Sequence, residues 1–127
     1  MKQLRFILLL AVLGINTRCY KKLSLEGFDE VQWTNYTSSC DSYRLEIADY
    51  IVENQSLLLE GTQNEIESLL GQPEEHELYQ RNQKYFHYRL NPPDSCGQYE
   101  ALSFLSIRFN AIGRANLVQV MLREPTQ

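Results

Sequence analysis

Residues 61–73, Gly-Thr-Gln-Asn-Glu-Ile-Glu-Ser-Leu-Leu-Gly-Gln-Pro, constrain the fold of this chain more than any other stretch. They spell a short helix with both ends marked. Thr62 is placed to cap the N-terminus through its hydroxyl, and Glu65 three positions on reaches back to the N–H of the cap, a capping box. Ile66, Leu69 and Leu70 fall at i, i+3 and i+4 and give the helix one apolar face. Gly71 ends it and Pro73 prevents its continuation. Upstream, a second helix is expected from Asp41 or Ser42 to about Asn54. There Tyr43, Ile47, Tyr50 and Ile51 share a face, flanked by Ala48 and Val52. Leu57, Leu58 and Leu59 bridge the two helices.

After Pro73 the hydrophobic period changes from helical to alternating. Phe86, Tyr88 and Leu90 alternate with Tyr85, His87 and Arg89; Asn91-Pro92-Pro93-Asp94-Ser95 then breaks the strand. Residues 101–109 alternate again, with Leu105, Ile107 and Phe109 on one face. Asn110 to Gly113 reads as a turn into a last strand carrying Val118, Val120 and Leu122. These segments predict an α+β fold in which two N-terminal helices pack on a three-stranded antiparallel meander, an ααβββ two-layer sandwich.

The first residues read as a targeting segment. Lys2 and Arg5 precede an uncharged, mostly apolar run from Phe6 to Ile15. Ten residues make about 15 Å of helix, half of the roughly 30 Å that spans a hydrocarbon core, and the flanks on both sides favour a signal peptide over a buried core helix. The expected organisation is a signal peptide at 1–18, a polar lead-in or tether at 19–39 with Phe28, Val31 and Trp33 as bulky anchors, and one domain at 40–124. Cys19 stands where a lipoprotein signal places its lipid-bearing cysteine, although Asn16, Thr17 and Arg18 before it are not the small residues of a regular lipobox. Cleavage after Gly14 is the alternative and leaves a soluble protein with a free thiol at Cys19. Lipidation of Cys19 is the favoured expectation because it leaves no unpaired cysteine in an exported protein.

Loss of residues 1–18 leaves nine basic against sixteen acidic residues, a formal charge of −7. With no basic stripe, nucleic acid is not an expected partner. Cys40 and Cys96 remain, and in an oxidising compartment they most simply pair. Such a bond closes a loop of roughly 57 residues and is worth about 4 kcal/mol in the chain-entropy model. Two separate buried thiols are the alternative.

The pattern Gly61-Thr62-x-x-Glu65-Ile66-x-x-Leu69-Leu70-Gly71-x-Pro73, followed by Tyr85-Phe86-x-Tyr88 and then Leu105-x-Ile107-x-Phe109-x-x-x-Gly113, resembles the SmpA/OmlA (BamE-like) family of small bacterial envelope lipoproteins. The matching region is 57–122. Upstream, Phe28-Asp29, Trp33, Cys40, Arg44 and Leu57-x-Leu59 look more like uncharacterised lipoproteins of Bacteroidetes-type bacteria. The resemblance implies a domain tethered to a membrane, facing the periplasm, and acting as a non-catalytic accessory subunit in envelope assembly. It also implies an alternative, since secreted inhibitors share the fold type.

No residue pattern announces catalysis. His76 lies among Glu74, Glu75 and Glu77 and is expected to be a solvated turn residue; no ligand spacing supports a metal there. No serine sits in a Gly-x-Ser-x-Gly elbow, no Cys-x-x-Cys occurs, and no phosphate-binding glycine loop is present. The chain is therefore read as a non-enzyme without a cofactor. Its candidate partner face is the side of the sheet away from the helices: Tyr85, His87, Arg89, Leu102, Phe104 and Arg108, with Leu117 and Met121. Aromatics, arginine and methionine are enriched in interface cores. The competing expectation is that the lead-in folds back over this face through Phe28 and Trp33. An exposed face predicts that Phe104→Asp leaves the fold intact.

Overall fold

In the computed structural model residues 22–124 are described; the signal segment 1–18, Cys19 and the start of the lead-in lie outside them. Three helices, α1 (Glu30–Thr34), α2 (Tyr43–Glu53) and α3 (Gln63–Leu70), precede four strands, β1 (Glu75–Tyr79), β2 (Gln83–Arg89), β3 (Leu102–Phe109) and β4 (Ala115–Arg123). The strands form one antiparallel sheet in chain order. No described helix is long and apolar enough to cross a membrane.

The capped helix forms as its sequence dictates. Thr62 Oγ1 accepts from the N–H of Glu65, the Glu65 carboxylate accepts from the N–H of Thr62, and Ile66, Leu69 and Leu70 are buried. Gly71 takes φ +76°, a value costly for any residue with a side chain. Gly61 has a different reason to be glycine: a Cβ there would stand 2.8 Å from the Leu58 carbonyl oxygen.

The α+β class holds, with one strand more than expected and an additional helix. The sequence predicts a turn around residues 74–77, with His76 as a solvated residue in it. His76 is indeed exposed, but on an edge strand, with its ring edge-on to Phe86 at 4.7 Å. The hairpin into β2 turns through Arg81 and Asn82, both at φ 59°. Asn tolerates that conformation, but an Arg-Asn pair does not carry the usual hairpin signal.

Within the expected lead-in of 19–39, residues Glu30–Thr34 form the short helix α1. Asp29 caps it by accepting from the N–H of Gln32, and Trp33 is wholly buried. Leu23, Leu25 and Trp33 belong to the same core as Ile51, Leu58, Ile66 and Leu69 from the helical side and Phe86, Tyr88, Leu105, Ile107 and Phe109 from the sheet. The described part of the lead-in therefore folds with residues 40–124, because the helical layer needs its apolar side chains to cover the sheet. The indole N–H of Trp33 donates to the Leu70 carbonyl at 2.8 Å and the Tyr88 hydroxyl to the Gly71 carbonyl at 3.0 Å. Two carbonyls left over at the end of α3 are thereby satisfied from separate elements.

Arg44 is the one buried cation of the helical layer among the described residues. Its guanidinium lies between the rings of Trp33 (4.5 Å) and Tyr36 (4.2 Å). Nε donates to the Trp33 carbonyl, and one terminal nitrogen donates to Glu74 at 2.7 Å and to the Arg89 carbonyl at 2.9 Å. Glu74 in turn accepts from the N–H of Arg89. Four segments meet on one side chain. The Cys40 and Cys96 sulfurs are bonded, with Cα atoms 5.6 Å apart and a separation of 56 positions in sequence.

Two outcomes follow from this packing. Arg44→Ala is expected to lower stability by about 2–4 kcal/mol, read from chemical denaturation, because it opens the space between two rings and strands two carbonyls and a carboxylate. Burial also raises the Tyr88 hydroxyl pKa well above the ordinary tyrosine value, and raises that of Tyr36 less strongly. A folded state that holds these protons longer than the unfolded chain loses stability as pH rises beyond about 10. Denaturation midpoints should therefore fall on the alkaline side of that value, and Tyr88→Phe should flatten the fall.

Candidate functional site

The strand register settles which residues share the sheet face turned away from the helices. Tyr85 stands opposite Arg108, His87 opposite Ser106 and Arg89 opposite Phe104; β1 adds Glu75 and Glu77, and β4 adds Leu117, Gln119, Met121 and Arg123. All six candidate residues, Tyr85, His87, Arg89, Leu102, Phe104 and Arg108, thus lie on one face. They are not equally accessible: His87 and Phe104 are buried, while Tyr85, Arg89, Leu102 and Arg108 are half-buried. Phe28 and Trp33 pack in the helix-side core, so the lead-in does not cover this face through them.

The cover comes from the face's own side chains. His87 Nε2 stands 2.6 Å from the Glu77 carboxylate and Nδ1 2.7 Å from Ser106 Oγ. A carboxylate only accepts, so the ring donates from Nε2 to Glu77, and Nδ1 is hydrogen-bonded to the serine hydroxyl. The Tyr85 ring stacks on His87 at 5.5 Å, and Phe104 meets it edge-on at 6.1 Å. Over Phe104 lies the guanidinium of Arg123, 4.6 Å from the ring centroid and held by both carboxylate oxygens of Glu75. Arg89 reaches the other way, to the Pro92 carbonyl and to Asp94, and its Nε is buried without a partner.

Glu77, His87 and Ser106 form a row of the residue types used in acyl transfer, but its geometry serves packing. Ser106 is fully buried in mid-strand, so its Oγ is closed to a substrate carbonyl in this arrangement. Among the described residues no group of three or more His, Cys, Asp or Glu side chains is placed to hold a metal ion. What remains open on the face is a rim around the covered centre: Tyr79 (45% exposed), Met121 (39%) and the half-buried Tyr85, Arg108 and Leu117. Tyr79 packs edge-on against Tyr85 at 5.5 Å.

Sequence reasoning missed Glu75, Glu77 and Arg123, and it placed Ser106 on this face without making it a candidate. Ser106, a small polar residue at the middle of an otherwise apolar strand, was the available signal for Ser106 and its partner His87. Glu75 and Glu77 were invisible once β1 had been read as a turn. Comparison with protein-family models, curated proteins and solved structures gives no match to this chain.

Because Phe104 is 3% exposed beneath Arg123, Phe104→Asp is expected to destabilise the fold rather than leave it unaffected. It buries a carboxylate against an aromatic cluster. Phe104→Asp and His87→Ala are each expected to lower stability by about 2–4 kcal/mol in urea titrations. A shift below about 0.5 kcal/mol for both would mean that the side-chain cover carries no packing energy.

Proposed function

We propose that this protein is exported, anchored to a membrane by lipid on Cys19, and works without catalysis by binding other components of the cell envelope from the periplasmic side. The observation that carries the reading is the two-sidedness of the sheet. The helices cover one face, and the opposite face is roofed by its own charged side chains and rimmed by accessible Tyr79, Tyr85, Leu117 and Met121. A mixed rim of tyrosine, methionine and arginine has the composition of interface cores. The Cys40–Cys96 bond suits an oxidising compartment, and the apolar run after Lys2 and Arg5 suits export. The resemblance to the SmpA/OmlA (BamE-like) family supports the accessory role. It is weakened by β1 and α1, which the ααβββ order lacks, and by Cys96, which that branch does not imply. Arg18 directly before Cys19 favours a second reading, a soluble secreted inhibitor or ligand-binding protein of the same build.

The intact mass of the non-reduced protein, expressed with its own signal in a lipoprotein-competent bacterium, separates the two. The anchor predicts a mass beginning at Cys19 with acyl additions and lacking two hydrogens. A mass beginning at Ile15 without lipid would overturn it in favour of the soluble reading. For the rim, Tyr79→Asp combined with Met121→Glu should keep the circular dichroism spectrum and the urea midpoint while removing co-purifying envelope proteins. Undiminished co-purification would discard the rim as the binding surface.

A further inference from the structure

The two edges of the sheet are built differently. β1 is five residues long, exposed throughout, and carries Glu75 and Glu77 on one face. Two β1 strands paired about Glu77 would set carboxylate against carboxylate, which keeps that edge single. β4 is nine residues long, and from Leu117 to Leu122 it has no charge, no proline and no glycine.

Part of the β4 edge is already used. The Ala115 N–H donates to the Gly61 carbonyl and the Glu60 N–H to the Ala115 carbonyl, each at 2.8 Å. Beyond Ala115 the direction of the free groups follows from the ladder. Leu90 donates to the Ser103 carbonyl, so the odd-numbered residues of β3 point their polar groups at β2, and Phe104, Ser106 and Arg108 point theirs at β4. Their partners there are Met121, Gln119 and Leu117. The N–H and C=O groups of Val118, Val120 and Leu122 are left pointing outward. The side chains of these same residues were expected to lie under the helices. Val118 does, but Val120 is 39% and Leu122 74% exposed, because the helical layer ends before the end of β4.

We propose that this edge is a homodimer interface in which two copies pair β4 with β4, antiparallel, about a two-fold axis at Val120. That register sets Val120 opposite its own copy and Val118 opposite Leu122 of the second copy. On the other face it sets Gln119 opposite Met121 and Leu117 opposite Arg123. Every free N–H and C=O of the three residues gains a partner, no like charges meet, and the pairing stops short of the edge held by Glu60 and Gly61. Charge selects this occupant, since the strand presents a neutral stripe that matches its own reverse, whereas β1 repels its copy. The axis also closes the assembly: the outer edges of the resulting eight-stranded sheet are both β1, so growth ends at two copies. The proposal does not rest on the envelope-binding reading: Leu117 and Met121 of the rim also lie on β4, but Val120 and Leu122, whose edge groups carry the pairing, point to the other face, and Tyr79 and Tyr85 lie toward the opposite edge of the sheet.

Sedimentation equilibrium of the exported, disulfide-bonded protein, at a solvent density matched to any detergent, tests it. A seven-residue strand pairing is small beside a standard interface, so the mass should rise from one copy to two over about 1–100 µM. Val120→Lys and Leu122→Lys set or crowd ammonium groups near the axis and should each raise the midpoint about a hundredfold. Val31→Lys, at an exposed apolar site on α1, should leave it unchanged. Leu122 is too exposed for its replacement to unfold the domain, so that variant stays informative if Val120→Lys misfolds. A wild-type protein that stays monomeric across the range overturns the proposal. So do lysine variants that associate as the wild type does, and a β4 edge that cross-links only to a different protein.

Discussion

Arg44 organises the helical side of this molecule. A guanidinium so fully enclosed survives only if its charge is answered and its donors are used, since an isolated ion in a low-dielectric interior is prohibitively costly. Here two aromatic faces, a carboxylate and two carbonyls answer it at once. Lysine, a point charge without the planar fork, could not lie between two rings and donate in three directions. The requirement propagates outward. Trp33 must be present to supply a ring and a carbonyl, so the segment before Cys40 must fold with the domain. Glu74 must stand just after α3, so the chain must leave that helix in one direction. Arg89 must end β2 there, which fixes where the sheet meets the helices.

The sheet solves a different problem on each side. Facing the helices it is covered by buried apolar residues, as two-layer architecture requires. Facing outward it has no second layer among the described residues, yet His87, Phe104 and Ser106 are buried there. Long side chains bent along the surface supply the cover. Arg123 lies along the sheet over Phe104 to reach Glu75, which spends its cation on an aromatic ring and a carboxylate together. Glu77 closes over His87 in the same manner. A roof of this kind leaves apolar groups at its margins and not at its centre, which is why the accessible tyrosines and methionine form a rim.

How far the sequence disclosed this depends on whether a signal was local. The capped helix α3 was legible at both ends because the capping box, the apolar face and the glycine act within thirteen residues. The strands β2, β3 and β4 were legible through period-two alternation, with boundaries within a residue or two. β1 was not, because Glu75, His76, Glu77, Leu78 and Tyr79 show no half-buried pattern: all five are exposed, and pairing with β2 alone makes them a strand. α1 is too short for a periodic signal, and its stability comes from Trp33 docking on a helix 37 residues away. Arg44 does fall on the stripe with Ala48 and Ile51, spaced four and seven residues from it. Charge disguised it, since the partners that make its burial possible are distant in sequence. On the outer face, alternation placed the six candidate residues together but could not tell which would be roofed, since Arg123 and Glu75 come from opposite edges of the sheet.

The disulfide and Arg44 restrain the same joint. Cys40 precedes Arg44 by four residues, just ahead of α2, and Cys96 follows Arg89 by seven, in the turn after β2. Each link ties the start of α2 to the end of β2, one by a covalent bond and the other by a charge-assisted hydrogen bond. Restraints that close the same loop are not additive, because the entropy of bringing the two ends together is lost only once. With the disulfide formed, the cation has little loop entropy left to remove, and its contribution is the packing and hydrogen bonding of a preset pocket. With the disulfide reduced, the same cation must also hold the joint closed across the 45 positions that separate Arg44 from Arg89. The covalent link therefore does more than add to stability. It keeps the start of α2 and the end of β2 joined whether or not the polar contacts of Arg44 are made.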